Sequence, residues 1–121
     1  MSDIQMGVAE SRFAQIIWDN EPIRAADLAR KAMQELQWKK TTAYTVLKRL
    51  CEKGIFRNEG GVVTAVLSRS QFYSMQSQRF VEETFSGSLP AFIAAFTNSH
   101  PLSETERKEI LAIIEKGERK P

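Results

Sequence analysis

One cysteine and one histidine in 121 residues remove much of the chemistry a small protein can carry. Cys51 alone cannot close an intramolecular disulfide and cannot build a cysteine metal cage. His100, beside Pro101, has no Cys or acidic companion at ligand spacing and no Ser or Cys paired with it, so neither a metal centre nor a nucleophilic triad is expected. No glycine-rich phosphate loop precedes a helix, which leaves the enzyme class without candidate residues and implies no cofactor. No apolar run reaches the roughly 18 residues that a membrane span needs. The first residues lack the basic and apolar segments of a secretory signal, so a bacterial or archaeal cytoplasm is the expected compartment. The length allows one ordinary core, or two small ones sharing a helix.

Charge is also scarce in net terms: +2 at pH 7, too little to name a partner. Its distribution is more informative. Residues 37–60 carry Lys39, Lys40, Lys48, Arg49, Lys53 and Arg57 against Glu52 and Glu59, whereas basic and acidic residues cancel from Ser103 onward. One region is polarised to meet an anion, and the tail reads as a solvated helix laced with i,i+4 pairs.

The polarised region is a helix by its spacing. Ala43, Val46, Leu47, Leu50 and Cys51 recur at i, i+3, i+4, i+7 and i+8, one helical face. The opposite face carries Thr41, Thr42, Tyr44, Thr45, Lys48 and Arg49, side chains able to bond phosphate oxygens, touch a thymine methyl or reach a base edge. Lys39 and Lys40 stand at its start, and Gly54 is placed as a left-handed cap at its end.

Upstream, Ala9, Phe13, Ile16 and Ile17 share the face of a helix from about Ala9 to Trp18, which D-N-E-P at 19–22 stops. A second helix, about Ala25 to Leu36, buries Leu28, Ala29 and Ala32, and a short Q-W-K turn leads to the cationic helix. Two helices joined by a short turn, the second basic, form a helix-turn-helix pattern. Ile55 to Glu59 and Val62 to Leu67 are β-prone runs around Gly60-Gly61, a dipeptide suited to a two-residue hairpin turn. A lone hairpin is marginal in water, so it must lean on the helices. The expected fold is mainly α with a small β-wing: a winged helix-turn-helix domain at 1–67, with Arg57 on the wing positioned for DNA, followed by a three-helix dimerisation region at 68–121. Trp18 and Trp38 read as packing residues and Cys51 as a small hydrophobe.

In that second region, Ser68-x-x-Gln71 and Ser103-x-x-Glu106 are capping boxes, and Ser86-Gly87-Ser88 breaks the first helix near Phe85. Leu89, Phe92, Ile93 and Phe96 form one stripe; Ile110, Ile113 and Ile114 form another. Phe72, Tyr73, Phe80, Phe85, Phe92 and Phe96 place six of the eleven aromatics within 25 residues. Burying each contributes roughly 1.5–3 kcal/mol, more than three short helices can realise among themselves. A homodimer interleaving Phe72, Phe80, Phe85, Leu89, Phe92, Ile93, Phe96, Ile110, Ile113 and Ile114 would bury them and present two heads to the half-sites of an inverted repeat.

These residues resemble the penicillinase-repressor (BlaI/MecI/CopY) group of bacterial winged-helix regulators over about residues 8–117. Ala9-Glu10 through Ile16 and Trp18 match the family's A-E-x-x-x-x-x-I-x-W opening. Thr41, Thr42, Thr45, Leu47, Arg49, Leu50, Lys53 and Gly54 match its T-T-x-x-T-x-L-x-R-L-x-x-K-G helix. Phe85 to Phe96, then Leu102, Ser103 and Glu106, are similar to its dimerisation helices. The resemblance implies a dimeric repressor of resistance genes on a double-stranded operator, released when a membrane-bound receptor protease that senses β-lactam causes a cut in the dimerisation region. The family's cut lies between Asn and Phe, and the matching bond here is Ala95-Phe96. Copper-responsive relatives carry a C-terminal cysteine cluster that this chain lacks. The alternative is a winged-helix protein-interaction module without specific DNA binding; it would be marked by an apolar or acidic exposed helix face, and here that face is cationic and hydroxylated.

Overall fold

The computed structural model describes residues 6–117, and their contacts divide the chain into two units, 1–78 and 79–121. The first contains α1 (Val8–Asn20), β1 (Ile23–Arg24), α2 (Ala25–Leu36), α3 (Lys40–Glu52), β2 (Phe56–Glu59), β3 (Val62–Ala65) and the opening turns of α4 (Arg69–Phe85). The second holds the end of α4, then α5 (Leu89–Ser99) and α6 (Glu104–Gly117). Mainly helical, with one small antiparallel sheet, the chain has a winged-helix fold.

The head, as the first unit is called below, is built on a stripe from each of three helices. Phe13, Ala14, Ile16 and Ile17 of α1, Ala25, Leu28, Ala29 and Ala32 of α2, and Ala43, Val46, Leu47 and Leu50 of α3 are buried together. Ala9, expected on the buried face of α1, lies in its first turn and is exposed; Ala14 joins the core instead. Three buried alanines on α2 remove side-chain bulk on the face that meets both α1 and α3. The helix ends where Gln37 turns left-handed, at φ 59°, and Trp38 N–H bonds the Ala32 carbonyl at 3.3 Å.

The wing has one more strand than the hairpin expectation. β1 pairs Ile23 with Val63 and Arg24 with Val62, giving the order β1-β3-β2. Two residues are too few to leave an alternating signature, so the strand is recognisable only by its partner. Gly60 and Gly61 join β2 to β3 with φ of 59° and 86°, both positive as a type I′ hairpin turn requires. The hairpin strands are shorter than the β-prone runs: the Ile55 carbonyl accepts from Val66 and Leu67 N–H groups at 2.9 and 3.1 Å, closing the hairpin base outside the ladder. Val63 and Phe56 enter the head core.

Both tryptophans pack against that core. Trp38 lies 5.0 Å from the Phe13 ring, and Trp18 lies 5.2 Å from Phe56 while its indole N–H bonds the Leu67 carbonyl at 3.0 Å. The Ser68 box opens α4, with Gln71 N–H on Ser68 Oγ at 3.0 Å and Ser68 N–H on Gln71 Oε1 at 2.9 Å. Phe72 follows directly and corrects an expectation. It was assigned to the dimerisation surface, but it is 4% exposed within the head core, 5.5 Å from Trp18. The first turns of α4 pack with the winged head, so the contact division falls at 78, past the expected boundary at 67.

In the second unit, Ser86 and Gly87 break the chain with φ of 52° and 81°. Ser88 Oγ then caps α5 by accepting from Ala91 N–H at 3.1 Å, and Ser103 caps α6 through Glu106 N–H, also at 3.1 Å. Phe80, Phe85 and Phe92 form a ring cluster with centroids 5.5–5.9 Å apart, and Phe96 joins it 6.2 Å from Phe92. No residue of α5 or α6 is buried.

Candidate nucleic-acid interface

α3 carries the interface because its two faces have different solvents. Ala43, Val46, Leu47 and Leu50 fix one face in the core, which forces Thr41, Thr42, Tyr44, Thr45, Lys48 and Arg49 outward, and all six are exposed. Gly54, at φ 83°, ends the helix and donates its N–H to the Cys51 carbonyl at 3.0 Å. Lys39 and Lys40 stand exposed at the N-terminus, with no side-chain cap and no acidic residue in the first turn. Two cations there oppose the helix dipole, an arrangement that an incoming anion relieves.

The exposed side chains differ in what they can offer. Thr45 Oγ donates to the Thr41 carbonyl at 2.9 Å, so its hydroxyl hydrogen is engaged and it presents lone pairs and a methyl. Tyr44 and Lys48 line a shallow depression of about 320 Å³ with Leu47, Cys51 and Asn58, where α3 meets β2. Burial there pushes the Cys51 thiol above its ordinary range, which keeps it protonated and inert.

Arg49 is held from behind. Its guanidinium donates to Glu10 Oε2 at 2.8 Å, and Lys53 Nζ lies 4.0 Å from Glu10 Oε1. The Arg49 hydrogen bond, above all, holds the Glu10 carboxyl below its ordinary range; the Gly7 N–H and the Lys53 charge add to this against the cost of partial burial. Nothing local in the sequence points to this pair, because its members are 39 residues apart.

The wing adds a cation that sequence reasoning missed. In the ladder Val62 stands between Arg24 and Glu59, and Arg57 pairs with Thr64, so Arg24 and Arg57 share the sheet face opposite Phe56 and Val63. Both arginines are exposed. Arg24 escaped notice because its strand did.

In the second unit, the residues expected at a dimer interface other than Phe72 lie together but uncovered. Phe80, Leu89, Ile93, Phe96, Ile113 and Ile114 are exposed, Ile113 to 69%, while Phe85, Phe92 and Ile110 are half-buried. The Ala95-Phe96 bond lies inside α5. Among the described residues no helix is long and apolar enough to cross a membrane, and no three His, Cys, Asp or Glu side chains converge as metal ligands.

The sequence model of the family described as Penicillinase repressor matches residues 6–116. The methicillin resistance regulatory protein MecI of Staphylococcus aureus is 23% identical over 116 residues, covering 93% of this chain and 94% of that protein.

Proposed function

The chain belongs to the penicillinase repressor family of DNA-binding transcriptional regulators, and from that membership we propose that it represses its target genes as a homodimer on an inverted-repeat operator. The observation that carries the reading is α3: a hydroxylated, cationic face held outward by a buried apolar spine, beside a wing that carries two further arginines. Thr41, Thr42, Tyr44, Thr45 and Lys48 enter the major groove. Lys39 and Lys40 hold backbone phosphate at the helix start, and Arg57 grips from the wing. Arg49, expected with them, is engaged by Glu10 and is left out of this set.

Dimerisation is supported by the uncovered apolar side chains of α5 and α6, which a second copy would bury. MecI is named for methicillin resistance, which favours control of β-lactam resistance or a related stress response here. Release by a receptor protease cutting at Ala95-Phe96 would need α5 to open locally first, because that bond is helical.

Selection of random duplex DNA by the purified protein, with sedimentation in the same buffer, tests the reading. A two-fold symmetric site bound by a dimer is expected. No enriched sequence from an intact dimer would overturn it and favour a protein-interaction module.

A further inference from the structure

We propose that Glu10 is a positioning residue for the DNA contact: it keeps the Arg49 guanidinium against α1 and off the phosphate backbone, limiting how tightly the head grips duplex DNA of any sequence. The inference rests on the DNA-binding reading above and goes beyond it, because it removes one cation of the recognition helix from the interface and assigns that removal to a carboxylate on another helix.

Glu10 is anchored independently of DNA. Its Oε1 accepts the Gly7 N–H at 3.1 Å, closing the first turn of α1, where the helix dipole favours a negative charge. Its side chain is 16% exposed against 51% for Arg49, so the carboxylate is the fixed partner and the arginine comes to it. The 2.8 Å contact is a charge-assisted hydrogen bond, and Lys53 adds a second cation to the same carboxylate.

Moving Arg49 to a phosphate would exchange one anionic acceptor for another. It would also strip Glu10 of its principal counter-charge while a polyanion approached, so the exchange brings no net gain. Lys48, one residue earlier and exposed, contributes the grip that Arg49 withholds. The sequence shows only two basic residues side by side; the structure gives them different tasks.

The salt dependence of binding to a random-sequence duplex tests this, because each phosphate contact steepens the slope of log affinity against log salt by about 0.9. Wild type, Glu10→Gln, Arg49→Gln and the double variant are titrated between 50 and 200 mM salt by fluorescence anisotropy, with folding checked by circular dichroism. Arg49→Gln is expected to parallel wild type. Glu10→Gln, freeing Arg49, should be steeper by about 0.9, so that its affinity falls about 3.5-fold further across that fourfold salt range. The double variant should return to the wild-type slope, which separates the freed arginine from the mere loss of a negative charge.

A slope shallower by about 0.9 in Arg49→Gln would show the arginine already on phosphate and overturn the proposal, as would a Glu10→Gln slope parallel to wild type. Should Glu10→Gln fail to fold, the comparison of Arg49→Gln with wild type decides alone, since that variant leaves the Gly7 cap intact. A folded wild type that binds no duplex at all would instead overturn the DNA-binding reading, and this inference with it.

Discussion

Replacing Phe72 with alanine separates the two roles an aromatic at the start of α4 could have. The ring is 4% exposed, packed 5.5 Å from Trp18, which is itself tied to the Leu67 carbonyl. Removing it leaves a hole under the wing rather than a gap between subunits. A buried Phe→Ala change costs about 3–5 kcal/mol. Tyr73 and the solvent edge of α4 lie close enough for partial collapse, so the lower end, about 3 kcal/mol, is expected. With a urea slope of about 1.5 kcal/mol/M, the midpoint should fall by about 2 M. Trp18 and Trp38, the two tryptophans of the chain, both pack in the head, so their fluorescence follows head unfolding at a fixed protein concentration. Sedimentation below the transition should show the association constant unchanged. A variant whose tryptophan transition stayed in place while its association weakened tenfold would refute the assignment of Phe72 to the head core.

Phe96→Asp should convert the dimer to monomer in sedimentation with the tryptophan transition little changed, because it puts an unpaired charge into the proposed interface and leaves the head alone; persistence of the dimer would remove Phe96 from that interface. Lys48→Ala should weaken operator and random duplex alike and reduce the salt slope by about 0.9, since a lysine grips phosphate as a point charge; a loss confined to the operator would reassign it to a base edge. The lowered Glu10 carboxyl sets an acid response: the bound state of that proton is disfavoured by folding, so its stabilisation is complete above the ordinary value of 4.5 and is lost as pH falls through the lower folded value. Wild type should therefore lose more stability than Glu10→Gln in melts taken from about pH 5.5 to about pH 3, and parallel curves would exclude the linkage.

Much of this architecture was legible in the sequence because local rules agreed with the global fold. α2 occupies Ala25–Leu36 as its apolar spacing indicated, Gly60-Gly61 makes the expected turn, and both Ser capping boxes form. Features that depend on partners distant in the chain were not legible. β1 exists only because Val63 stands beside Ile23. Phe72 sits on an apolar stripe that periodicity can place on a face but cannot assign to one of two units. The outward set on α3 followed from the buried one, yet its chemistry was refined by contacts that composition does not show: Thr45 gives its hydrogen back to Thr41, and Arg49 is taken by a glutamate at the far end of the head.

The wing tip is fastened to the start of the helix-turn-helix. The Gly61 carbonyl accepts the Ala25 N–H at 2.8 Å, so the tight turn and the first residue of α2 move as one piece. A loop that had to order on DNA would add a folding reaction to association, with the large negative heat-capacity change that accompanies it. Here that ordering precedes the encounter. Association of the head with its operator should resemble two preorganised surfaces meeting, with a heat-capacity change set by the contact area alone and little entropy lost in the wing.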